Sequence, residues 1–194
     1  SRPFDKGHAG FVLAEGAAVV VLERLSHARA RGATPLAIVA GYGTSADAYH
    51  LTSGSPDGAG AQVAMRQAIR MAGITPDDIG YINAHATSTE VGDNAEIAGI
   101  RNLFGDRGKS LAVSSTKSAT GHLLGAAGAI EAVFCAKALA TQTLPPTLNL
   151  ENPEDIAAQF DLVPKVPEKK ALKHVLSNSF GFGGVNASLV LSAI

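Results

Sequence analysis

Ile79-Gly-Tyr-Ile-Asn-Ala-His-Ala-Thr-Ser-Thr-Glu-Val-Gly-Asp93 passes from an apolar run, through a histidine and three hydroxyls, into helix-forming residues. The run Ile79–Ala84 is short, contains β-formers and follows Pro76, so it predicts a buried strand. Glu90–Leu103 predicts a helix ended by Gly105. His85, Thr87 and Thr89 then stand at the C-terminal end of a buried strand, where open α/β sheets bind ligands. A blander account has Thr89 capping the helix and His85 satisfied in the core. A second segment of the same build argues against it.

That segment is Val113-Ser-Ser-Thr-Lys-Ser-Ala-Thr-Gly-His122: a strand over Leu111–Ser114, a polar loop, then a helix over Leu124–Ala140, apolar almost all round and so predicted to be buried. A third is Leu176-Ser-Asn-Ser-Phe-Gly-Phe-Gly-Gly-Val-Asn186, which joins strands at Val175–Ser179 and Ala187–Ser192 by a glycine-rich turn. Leu36–Tyr42 predicts a strand, Gly60–Gly73 an amphipathic helix, and Leu25–Arg31 a short helix stopped at Gly32. Two β-rich runs flank Glu15-Gly16 within Phe11–Glu23 and predict a hairpin. Pro145-Pro146 opens an irregular stretch that ends near Pro167. The alternation predicts a layered α/β fold. Strand–glycine turn–strand units at both ends suggest two similar halves, the first of them mostly outside these residues.

With 16 basic and 17 acidic side chains the net charge is −1, which lacks the electrostatic footprint of a nucleic-acid binder. One Cys excludes a disulfide framework and a thiolate zinc cage. The uninterrupted apolar run Ala17–Leu22 is too short to span a bilayer, and Ser1-Arg-Pro-Phe-Asp5 is not a leader. A soluble cytoplasmic protein is expected.

His122 precedes a predicted helix N-terminus and follows Lys117. Both disfavour imidazolium, so a neutral ring able to donate an N–H to a ligand oxygen is expected. Glu131, isolated in an apolar helix, needs Lys117, backbone donors or a bound monovalent ion. The loop Phe180–Gly184 suits an oxyanion hole, a gate or a plain hairpin turn. Cys135 lies mid-helix beside Phe134 and near Glu131, a setting that raises a thiol pKa and marks a core residue. Two histidines, a lysine and a candidate oxyanion loop are present; a nucleophile is not.

Taken together, Arg2-Pro-Phe-Asp5, Gly10-Phe-Val12, Glu15-Gly-Ala17, Asn83-Ala-His85, Thr87-Ser-Thr89, Gly92-Asp93, Ser115-Thr-Lys-Ser118, Thr120-Gly-His122, Gly125-Ala-Ala-Gly128, Pro145-Pro-Thr147 and Asn178–Gly184 resemble the β-ketoacyl-acyl-carrier-protein synthases, in particular the elongating type II enzymes of bacterial fatty acid synthesis. The resemblance implies the thiolase-like fold, an αβαβα layered sandwich of two related halves. Residues 1–33 would end the N-terminal half and 34–194 would form the C-terminal half. It also implies a decarboxylating Claisen condensation, with substrates carried on the phosphopantetheine of acyl carrier protein, no separate cofactor, and a homodimeric full-length enzyme.

By the same resemblance, His85 and His122 match the paired histidines that hydrogen-bond the malonyl thioester oxygen, and Lys117 matches the site lysine with an electrostatic role. Phe182 matches the gating phenylalanine, whose backbone N–H joins the oxyanion hole. Thr87 and Thr89 match hydroxyls that bind the phosphopantetheine arm. Asp93 and Glu131 match positions that support the histidine and lysine; Asn178, Gly181 and Gly183 match further supporting positions. Asn83, Ala84, Glu131, Ser177 and Asn178 match a monovalent-cation site of some members. The family's nucleophilic Cys falls outside these residues, so the chain alone is expected to be inactive. Ala86 stands where Gly is usual, and His8-Ala9 where many members have Arg-Asp. A non-catalytic module that binds carrier protein or inhibitors, a polyketide ketosynthase and a chain-length subunit are the alternatives.

Overall fold

Val175, Leu176, Ser177 and Asn178 are buried in succession along the strand His174–Gly181. Leu176 belongs to one apolar cluster and has Phe180 packed on the same side, whereas Val175 belongs to a second cluster on the opposite side. A strand buried on both faces must be covered by helices on both, and that requirement sets the architecture. The computed structural model describes residues 1–194. Its elements are α1 (Leu25–Ala30), β1 (Ile38–Ala46), α2 (Ala59–Met71), β2 (Ile79–Asn83), α3 (Glu90–Phe104), β3 (Ala112–Ser114), the single turn α4 (Lys117–Thr120), α5 (Ala127–Thr141), β4 (Thr143–Leu144), β5 (Glu168–Lys169), β6 (His174–Gly181) and β7 (Val185–Ser192).

Five strands form one mixed sheet in the order β1-β7-β6-β2-β3, and β4 and β5 make a small separate ribbon. β2 runs parallel to β3 and β6, while β7 runs antiparallel to β6 and β1. Helices α2 and α3 cover one face, where Met65, Ile69, Ile97, Ile100 and Phe104 meet Ile82, Leu176 and Val190. α5 covers the other, where Cys135, Ala138 and Leu139 meet Tyr81, Val175 and Leu191. The close seating of α2 on β1 depends on small residues: a Cβ on Gly43 would lie 2.0 Å from the Ala64 carbonyl oxygen, and one on Gly41 2.2 Å from that of Ala68. Gly32 (φ 75°) and Gly105 (φ 67°) stand just past α1 and α3, where the sequence predicts helix stops.

Three expectations are corrected. The hairpin over Phe11–Glu23 does not form: only an isolated bridge between Leu13 and His122 is made, and Val19 and Val21 are 90% and 85% exposed. A β-rich run becomes a strand only with a neighbour to pair with, and beyond Leu13 these residues have none. The strand predicted at Leu36–Tyr42 instead begins at Ile38 and continues to Ala46, because β7 offers Ala187, Asn186 and Val185 as partners for Thr44, Ser45 and Ala46. The apolar helix is not buried all round. A 3-10 turn, Leu124–Ala126, precedes α5, whose buried residues Ala127, Glu131, Cys135, Ala138 and Leu139 mark one face against the sheet. Leu124–Thr141 is long and apolar enough by composition to cross a membrane, and its outer side is open because no second layer covers it here.

Candidate active site

β2, β3 and β6 deliver the three polar segments to the same end of the sheet, beyond their C-termini. The segment after β2 carries His85, Thr87 and Thr89; the one after β3 carries Lys117 and His122; the one after β6 carries Phe182. The two imidazoles meet edge to face, with centroids 5.2 Å apart and planes at 84°. Phe180 lies 5.8 Å from His85, and Phe11 lies 5.6 Å from His122. The pair is therefore bracketed by aromatic rings.

Both histidines are held neutral. Burial, followed by the Lys117 charge and His122, pushes His85 well below the usual imidazole range. Burial and then Lys117 lower His122. The Leu124 N–H donates to His122 Nδ1 at 3.4 Å, which places the ring proton on Nε2 and leaves that N–H free for a ligand. Main-chain bonds fix the position of His122: its N–H donates to the Val12 carbonyl at 2.7 Å, and the Ala14 N–H donates to its carbonyl at 3.0 Å.

Lys117 is fully buried and its ammonium donates to Glu131 Oε1 across the start of α5. Lys117 is thus the partner that Glu131 required, although burial still raises Glu131 to about 7. Thr87 and Thr89 share a hydroxyl–hydroxyl bond of 3.1 Å; Thr89 stands at the N-cap of α3 without a side-chain capping bond. Asp93 reaches neither histidine ring nor lysine. Its oxygens accept the Phe4 N–H at 2.9 Å and the Ser88 N–H at 3.1 Å, which ties down the loop after His85 instead. Phe182 is 73% exposed, between Gly181 and Gly183 (φ 81°), and the rings packed on the two histidines are those of Phe180 and Phe11 rather than its own. Cys135 is fully buried and pushed up to about 12 by burial, which leaves it unfit as a nucleophile.

Residues 36–151 match the model of the beta-ketoacyl synthase C-terminal domain, and residues 1–28 match that of the N-terminal domain. This chain belongs to the β-ketoacyl synthase family. It is 55% identical over 191 residues to 3-oxoacyl-[acyl-carrier-protein] synthase 2 of Rhizobium meliloti (strain 1021), covering 98% of the chain and 45% of that protein. The protein of the same name from Vibrio cholerae is 54% identical, again over 98% of the chain and 46% of its own length. Among solved structures, a β-ketoacyl synthase from Burkholderia phymatum superposes over the whole chain and 46% of its own, with TM-score 0.94 and 39% identity. A type II polyketide ketosynthase in complex with its acyl-carrier protein superposes with TM-score 0.96 and 35% identity, over 100% of this chain and 47% of its own. The synthase chain therefore spans about half the length of its relatives, and its fold is the thiolase-like α/β fold of the ketosynthases.

Several residues that order the synthase site escape a reading of the sequence. Glu96, buried one turn beyond Asp93, accepts the His85 N–H (3.0 Å), the Ala86 N–H (2.7 Å) and the Asn178 side-chain amide (3.0 Å). Its signal is present: Asp93 and Glu96 interrupt the buried stripe that includes Ile97 and Ile100. Ser115 Oγ donates to the Ala86 carbonyl at 2.7 Å and joins the two histidine loops. The segment after β1 fastens the glycine loop. The Asp47 N–H donates to Gly184 (2.9 Å), the Gly183 N–H to Leu51 (2.7 Å), and the Asn186 amide to Asp47 Oδ1 (2.7 Å). These contacts span distant parts of the chain and leave no local pattern.

The five residues expected around a cation divide. Asn83 Oδ1 and Glu131 Oε2 are buried with no hydrogen-bond partner, as oxygen ligands awaiting a hard cation would be. The Asn178 side chain is already engaged, donating to Glu96 and accepting from Ser188 at 2.8 Å. Only the main chain of Asn178 remains to such a site.

Proposed function

We propose that this chain is the C-terminal half of a 3-oxoacyl-[acyl-carrier-protein] synthase of bacterial type II fatty acid synthesis, with residues 1–33 ending the preceding half, and that it supplies the enolate-stabilising part of the active site. The observation that carries this reading is the pair of neutral histidines 5.2 Å apart, one with its Nε2–H free. The 54–55% identity to fatty acid synthases over nearly the whole chain favours this assignment over a polyketide ketosynthase, for which the similarity is 35%.

In this scheme a malonyl thioester is presented on phosphopantetheine by acyl carrier protein, with Thr87 and Thr89 hydrogen-bonding the arm. The bond between the carboxylate and the α-carbon breaks, CO2 leaves, and its electron pair moves into the thioester as an enolate. His85 and His122 donate N–H bonds to the enolate oxygen. Neutral imidazoles suit this task because they give a hydrogen bond without having to lose a proton. The enolate carbon then attacks an acyl thioester on a cysteine supplied by the rest of the protein, and the thiolate leaves. Phe182 gates entry and its N–H completes the oxyanion hole. Burial, with the Lys117 charge second, keeps both histidines neutral. A monovalent cation held by Asn83 and Glu131, with Ser177 and the main chain of Ala84 and Asn178, would satisfy the two orphan oxygens and help fix Lys117.

The full-length enzyme acts as a cytoplasmic homodimer with acyl carrier protein as partner, and the isolated chain performs no condensation. Purified full-length protein should form 3-ketoacyl product from malonyl- and acyl-carrier protein. His85→Ala and His122→Ala should each lower malonyl decarboxylation by about 100-fold or more. Wild-type decarboxylation rates in both variants would refute the assignment.

A further inference from the structure

The Thr87–Thr89 loop carries a conformational cost that something must hold in place. Ser88 has φ 73°, a left-handed conformation that a residue with a Cβ adopts only when its surroundings over-determine it. All three of its polar groups are taken. Its N–H donates to Asp93 Oδ1 (3.1 Å), its carbonyl accepts the Gly10 N–H (2.9 Å), and its Oγ accepts the Arg2 N–H (2.9 Å). The N-terminal segment and Asp93 thus clamp the loop from two sides. Asp93 Oδ2 also accepts the Phe4 N–H from that same segment.

His8 sits at the junction. Its side chain is only 6% exposed, its Nδ1 is 3.9 Å from Asp93 Oδ2, and its Nε2 is 3.8 Å from Glu154 Oε1. Nδ1 is buried with no hydrogen-bond partner. A neutral imidazole has one N–H and can face only one carboxylate as a donor, whereas an imidazolium faces both. The other charged groups nearby are committed elsewhere: Asp5 accepts from Gly7, Glu151 and Asn152, and Lys6 pairs outward with Asp155. Glu96 bears on Asp93 as a second negative charge and deepens its need for a cation.

We propose that His8 is a positioning residue that acts through Asp93: as imidazolium between Asp93 and Glu154 it keeps the Asp93 carboxylate charged and the Ser88 turn closed. The role goes beyond the condensing reaction proposed above, and rests on it only for the use made of Thr87 and Thr89. Burial raises Asp93 to about 7, so loss of the neighbouring cation favours loss of the carboxylate's charge or of its enclosed position.

The test is amide hydrogen exchange on the full-length protein, read as the protection of Ser88 and Phe4 between pH 5.5 and 8.5. In the wild type, protection at Ser88 should fall as pH rises across this range. His8→Gln should lower it roughly tenfold at pH 6 and remove the pH dependence. His8→Arg, a permanent cation, should restore protection and hold it level with pH. Glu154→Gln, a change of one partly exposed side chain, should move the wild-type midpoint to lower pH and serves if His8→Gln does not fold. Unchanged protection and an unchanged pH profile in His8→Arg and Glu154→Gln would overturn the proposal. Because the readout is the loop itself, a full-length protein that lacks condensing activity but shows these profiles would sink the proposed reaction and leave the positioning role standing.

Discussion

Glu96→Gln is the substitution that most directly examines how the site is built. The carboxylate receives three donors, the His85 N–H at 3.0 Å, the Ala86 N–H at 2.7 Å and the Asn178 amide at 3.0 Å, with the first and third on one oxygen and the second on the other. A glutamine turned to keep its oxygen toward His85 and Asn178 points an NH2 at the Ala86 N–H, donor against donor. Turned the other way, it loses two bonds. Hydrogen bonds to a charged acceptor contribute about 1.5–3 kcal/mol each, and a buried unpaired N–H costs about as much again. Against this, the amide avoids the desolvation that raises the Glu96 pKa. The balance is a loss of about 2 kcal/mol, concentrated at the backbone that carries His85. Hydrogen exchange on the full-length protein should show the Ala86 amide opening roughly thirtyfold more often, with amides of α5 little changed. Denaturation should give a matching drop in stability. Stability within about 0.5 kcal/mol of wild type, together with unchanged exchange at Ala86, would refute the reasoning.

Two further outcomes follow from the same geometry. Burial raises Glu131 from 4.5 to about 7, so the folded state holds a proton that the unfolded state releases; stability from this group is complete below pH 4.5 and lost as pH rises through 7. The unfolding free energy from denaturant titrations should therefore decline between pH 5 and 8, by up to about 3 kcal/mol from this group, and Glu131→Gln should flatten that decline. Gly43→Val should destabilise the seating of α2 on β1 by about 3 kcal/mol, since its Cβ would lie 2.0 Å from the Ala64 carbonyl. Gly125→Ala, with nothing within 4 Å of the added carbon, is the control and should stay within about 0.5 kcal/mol in the same thermal melts.

Much of the site is legible in the order of the residues alone. Strand–polar loop–helix units are local, and a short apolar run followed by hydroxyls marks His85 and His122 as strand-end residues without knowledge of what lies opposite. The failures share one cause. Phe11–Glu23 has the β-rich runs of a hairpin, but pairing needs a neighbour, and the one bridge made is at Leu13. The apolar helix reads as buried because composition cannot say how many layers surround it; its outer face is open. The resemblance puts Asp93 in support of the histidine and lysine, yet the turn at Ser88 brings backbone amides to its carboxylate instead.

By itself the sequence determined that strands alternate with helices, that two histidines and a lysine end up at strand termini, and that Cys135 is a core residue. These follow from periodicity and from the hydrophobic setting of single segments, which tertiary contacts do not reverse. Only the tertiary structure decided that the imidazoles meet edge to face, that Lys117 pairs with Glu131 across the start of α5, that Glu96 holds the His85 backbone, and that His8 lies between Asp93 and Glu154. Each of those contacts joins residues brought together by the order of strands in the sheet, and strand order is set by the burial of whole faces rather than by any local run of residues.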